Sequence, residues 1–95
     1  MTERLERRVR RDFSEPGSAE EVLRTLAELP GRAGYDAAHF ASERVQAAVV
    51  LLAGGDFRRL RAALDLAVTD WRDVLVAAEL AEGDWPARLD ERLGP

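Results

Sequence analysis

At 95 residues the chain is long enough for one compact core, and without cysteine it has no thiol nucleophile, disulfide or Cys-based zinc site. Its apolar content of 46% is too high for a disordered tail, and its longest apolar run, seven residues, falls far short of the roughly 20 of a transmembrane helix. The net charge of −4 is uneven: residues 1–13 hold five Arg against three acids, residues 14–95 nine Arg against fifteen, so the body of the chain repels polyanions.

The opening Met-Thr-Glu-Arg-Leu-Glu-Arg-Arg has no apolar h-region, so a secretory signal is not expected and a reducing cytoplasm is. All 14 basic residues are Arg, and Lys, Asn and Ile are absent. That pattern reads as codon bias in a GC-rich genome. The first predicted helix covers about Glu3–Phe13, with Thr2 as its N-cap. Leu5, Val9 and Phe13 fall on one stripe, and Arg4, Arg8 and Arg11 on a neighbouring one. Glu15-Pro16-Gly17 stops it. Ser18-Ala19-Glu20-Glu21 reads as a capping box for a second helix over about 19–29, facing inward through Val22, Leu23, Leu26 and Leu29. Pro30-Gly31 is expected to end that helix, with residues 30–34 as the best candidate for a mobile loop.

The third predicted helix runs from Asp36 to Ala53. Its late half, Ala47 to Ala53, is apolar at every position, and a helix apolar on all sides must be enclosed on all sides. Gly54 or Gly55 supplies a left-handed stop. A signal then recurs at a spacing of 14: Asp56-Phe57, Asp70-Trp71 and Asp84-Trp85. Each Asp can N-cap a short helix, giving predicted helices over 57–68, 71–82 and 86–92. Fourteen residues hold one helix and a turn, so a reused capping device fits better than a helical-repeat solenoid. No period-2 alternation occurs, so no strand is predicted.

Asp36, His39 and Glu43 share one side of the predicted helix, a spacing that can bind a divalent metal or tune a base. One His without Cys is a thin ligand set, and a solvated, ion-paired face explains the pattern better. The serines lack a Gly-x-Ser-x-Gly setting, and no phosphate-cradling glycine loop exists. Helices 57–68 and 71–82 resemble a helix-turn-helix in spacing, but Asp70, Asp73, Glu79 and Glu82 would meet phosphates unbalanced. No catalytic, cofactor or metal site is therefore assigned. The candidate partner contacts are Trp71 and Trp85, either core or interface anchors, and Arg4, Arg8 and Arg11 of the first helix.

Three stretches, Glu43–Asp56, Thr69–Ala78 and Gly83-Asp84-Trp85-Pro86, resemble uncharacterised small proteins of GC-rich actinobacteria. The resemblance implies a bacterial cytoplasmic protein and brings no functional residues with it. The expectation is an all-α domain spanning 1–95, a compact bundle of five or six short helices around a buried central helix, 36–53. The expected function is a non-catalytic protein–protein interaction module, self-association included. The alternative is a nucleic-acid-binding accessory protein that uses the Arg-rich first helix.

Overall fold

The computed structural model of the chain describes residues 1–32 and 37–94. Within them every regular element is a helix: α1 (Glu3–Asp12), α2 (Ser18–Arg32), α3 (Ala37–Ala41), α4 (Glu43–Ala53), α5 (Phe57–Thr69), α6 (Trp71–Ala77) and α7 (Trp85–Leu93). The Cα radius of gyration is 12.1 Å, close to the roughly 12 Å of a folded chain this long. The expected mobile loop lies partly outside the described residues.

α1 begins as its sequence predicts. The Thr2 hydroxyl accepts the Leu5 N–H, and Leu5, Val9 and Phe13 are all buried. α2 departs from expectation at both ends. It starts at Ser18 itself, where the Gly17 carbonyl accepts the Glu21 N–H, so the helix begins one residue before the expected capping box allows. It also runs through Pro30 to Arg32. Proline has no N–H to give to the carbonyl four residues back, which leaves Leu26 C=O without its helical donor. The buried Gln46 side chain of α4 fills that gap, its Nε2 donating to the Leu26 carbonyl at 3.3 Å.

The predicted helix 36–53 is two helices, broken at Ser42, with its first residue, Asp36, outside the described residues. The Ser42 hydroxyl caps α4 by accepting the Val45 N–H and donates to the His39 carbonyl at 2.6 Å. Serine competes with the backbone for such bonds, and here that competition ends one helix and starts the next. Gln46 Nε2 donates a second bond, 3.0 Å, to the Phe40 carbonyl at the end of α3. One amide thus satisfies carbonyls exposed by two separate helix irregularities.

α4 buries Val45, Gln46, Ala47, Ala48, Val49, Val50 and Ala53 and packs against α1, α3, α5 and α6. Leu51 and Leu52 remain partly exposed, so the apolar run is not enclosed all the way round. Gly54 takes the expected left-handed conformation at φ 53° and closes the helix. Gly55 follows at φ 85° with its Cα hard against the end of α1: a Cβ there would stand 2.7 Å from the Asp12 carbonyl oxygen.

Of the three Asp-aromatic starts, two cap as predicted. Asp56 accepts the Arg58 and Arg59 N–H groups, and Asp70 the Arg72 N–H. Asp84 makes no side-chain cap; its carboxylate turns to Arg88 at 2.9 Å instead. α6 also stops at Ala77, short of the predicted 82. Its end is a Schellman turn: Leu80 N–H donates to Leu75 C=O and Glu79 N–H to Val76 C=O, with Glu79 left-handed at φ 62°. A glutamate where glycine is the easy residue gives no warning in the sequence. Leu75 and Leu80, both buried, supply the apolar contact that accompanies this motif.

Candidate functional site

The candidate partner contacts on α1 are drawn into the fold. Arg4 makes a two-pronged bond with Glu43, Nε to Oε2 at 2.9 Å and Nη2 to Oε1 at 2.6 Å, while its Nη1 reaches Asp90 and the Gly94 carbonyl. The Thr2 hydroxyl donates to the same Glu43 carboxylate. Arg8 pairs with Asp12 and donates to the Arg92 carbonyl at 2.7 Å. The carbonyls of Arg92 and Gly94 close the C-terminal end of α7, where unpaired backbone acceptors and the negative end of the helix dipole both favour cations. Two arginines one turn apart on α1 therefore cap α7. Arg4 holds the Glu43 carboxyl below its usual range, since its hydrogen bond favours the charged form over the opposing desolvation. Arg11 remains 73% exposed, 3.8 Å from Asp12.

The two tryptophans are half-buried against the core. Trp71 stacks on His39 with ring centroids 3.9 Å apart and planes 14° from parallel. Trp85 lies under the Arg44 guanidinium, 4.6 Å from the ring centre, and Arg44 Nε also donates to the Leu80 carbonyl. Of the suggested metal set, Asp36 lies outside the described residues, His39 is stacked on Trp71 and Glu43 is engaged by Arg4. Among the described residues no group of three or more His, Asp or Glu is placed to hold a metal ion.

A cleft of about 530 Å³ opens between α2 and α5, in a place the sequence does not single out. Its floor is Leu60 and Leu64, both buried, continued by Phe57, which is 43% exposed. These three sit at i, i+3 and i+7 of α5 and so form one apolar row. The buried edge of Phe57 meets Phe13 at 5.1 Å between ring centres, edge to face, which fixes the ring at the mouth. Arg58 and Arg61 of α5 and Arg32 of α2 stand on the rim, with Glu21 and Asp65 the two acids.

The rim arginines differ from those of α1. Among the described residues, Arg24, Arg32, Arg58, Arg59 and Arg61 make no ion pair or side-chain hydrogen bond, and three of these five line the cleft. Asp56 accepts only backbone N–H groups from this segment. The available signal is the run Arg58-Arg59-Leu60-Arg61, the densest basic cluster in the acidic body of the chain. The sequence pattern marks Phe57 only as the aromatic that follows a capping Asp at a helix start, and hides its exposed face.

No helix among the described residues is long and apolar enough to cross a membrane. Comparison with family models, with characterised proteins and with solved structures finds no match.

Proposed function

We propose that this chain is a non-catalytic protein–protein interaction module of the bacterial cytoplasm, folded around α4 and presenting the α2–α5 cleft to its partner. One observation carries the reading: the half-exposed Phe57 lies on an apolar row bordered by arginines that have no partner among the described residues. Aromatic residues and Arg are the types that dominate protein interface hot spots, especially around an apolar pocket. Nucleic-acid contact through Arg4, Arg8 and Arg11 has less support, because Arg4 and Arg8 already serve Glu43, Asp90 and the end of α7.

A photo-crosslinking amino acid placed at Thr25, on the cleft, and separately at Glu91, exposed on α7, tests this in the cells that make the protein. A discrete protein adduct from position 25, absent from position 91, is expected; a shift to twice the chain mass would identify self-association. No adduct from either position, with a monomer by light scattering at high concentration, would sink the reading.

A further inference from the structure

We propose that the α2–α5 cleft takes a short amphipathic helix with acidic flanks, contributed by a protein partner; this rests on the interaction reading above and names the partner's chemistry. The shape argues for a helix. The cleft lies between two helices, and its apolar row from Phe57 to Leu64 spans about 10 Å of α5, roughly two turns. A partner helix laid along it would seat anchors at i, i+3 or i+4, and i+7, the usual helix-in-groove spacing.

Charge sets the sign of the flanks. Three guanidinium groups with no partner among the described residues, Arg32, Arg58 and Arg61, face two carboxylates, Glu21 and Asp65. The cleft is therefore net positive within a chain of net charge −4. Each planar guanidinium can take a partner carboxylate through two parallel bonds. A basic helix would find those cations already in its place. Phe57 supplies the apolar anchor at the mouth, with about two-fifths of its surface still exposed (43%).

The probe is a fluorescein-labelled peptide of about four turns (~14 residues) with Leu at the anchor spacing, Ala between and Glu on both flanks. A twin carries Lys in place of Glu. Fluorescence anisotropy against the full chain is expected to show binding of the acidic peptide, weakening with salt, and none of the basic twin. The double variant Arg58→Glu/Arg61→Glu should weaken the acidic peptide by about tenfold or more. Both side chains are exposed and have no partner among the described residues, so its circular dichroism should match the parent. The opposite variant, Glu21→Gln/Asp65→Asn, removes the competing acids and should tighten binding severalfold. Equal binding of both peptides, binding of the basic twin alone, or no binding of either would overturn the proposal. So would a dimer that Arg58→Glu/Arg61→Glu abolishes, which would make a second copy the occupant. A Thr25 adduct obtained alongside a failed peptide leaves the interaction reading standing and removes only this inference; no adduct at all removes both.

Discussion

Arg4 and Arg8 of α1 are held by Glu43, Asp90, Asp12 and the last carbonyls of α7, whereas Arg32, Arg58 and Arg61 border the α2–α5 cleft with no partner among the described residues. The two sets do not differ in residue type or in local density. They differ in what lies within reach. α1 passes beside a helix C-terminus, where orphan carbonyls and the dipole call for cations. The first turn of α5, which carries Arg58, is a helix N-terminus already satisfied by Asp56, and a helix N-terminus does not call for a cation. Arginine density along the sequence therefore points to the structural clasp as readily as to the free surface, and the packing decides between them.

The largest expected effect comes from Gln46, which holds the α2 wall of the cleft. Gln46→Leu keeps the volume roughly constant but removes donors from the Leu26 and Phe40 carbonyls. Leaving buried acceptors unpaired costs about 1–3 kcal/mol each, so a loss of roughly 2–4 kcal/mol in urea unfolding is expected. The last turn of α2, beyond Pro30, should also lose amide-exchange protection, and Arg32 its fixed place on the rim. A variant within about 0.5 kcal/mol of the parent would show that Pro30 is tolerated without this amide.

The arginines themselves come next. Arg4→Ala strands Glu43, a partly buried carboxylate, and frees the end of α7. It should cost about 1.5–3 kcal/mol, in the range for charge-assisted hydrogen bonds. Arg61→Ala removes a side chain with no partner among the described residues and should stay within about 0.5 kcal/mol. Denaturant curves for the two variants, measured together, check the contrast; equal costs would erase the distinction between clasp and free surface.

Most helix positions are legible in the sequence, and so is much of the core, because they follow from local rules. Thr2, Asp56 and Asp70 cap their helices, Gly54 ends α4, and Leu5, Val9, Val22, Leu26 and Leu29 lie inside. The departures come from non-local compensation. Pro30 looks like a stop until Gln46, sixteen residues on, replaces the bond it removes. Glu79 in a left-handed turn is stabilised by buried Leu75 and Leu80 and by an ion pair to Arg92 at 3.0 Å. Ser42 is a local signal that the apolar run after it outweighs. The cleft is hidden for the same reason as Pro30's rescue. Its walls, α2 and α5, are distant in sequence, and periodicity marks Phe57 as apolar without saying that part of it faces water.

The smallest expected effect also separates the two arginine sets, through acid. In the folded protein the Glu43 carboxyl lies below its ordinary value of about 4.3, chiefly because Arg4 donates to the ionised form. A carboxyl depressed on folding contributes stability that is complete above its unfolded value and is lost as pH falls through its folded value. Stability of the parent should therefore drop from about pH 4.3 downward. Asp70 and Asp84, held low by Arg72 and Arg88, act in the same direction. Neither pair involves Arg4 or Arg61, so their share cancels when the two alanine variants are compared with the parent. In Arg4→Ala the desolvation of Glu43 is left without its main opposing bond, so the carboxyl rises and its share of the acid dependence shrinks or changes sign. Chemical denaturation at steps between pH 5 and pH 3 should thus give a shallower curve for Arg4→Ala than for the parent. Arg61→Ala should run parallel to the parent throughout, because Arg61 has no carboxylate partner among the described residues. A curve for Arg61→Ala that flattens like that of Arg4→Ala would mean that a rim arginine already has a carboxylate, and that the cleft is not waiting for one.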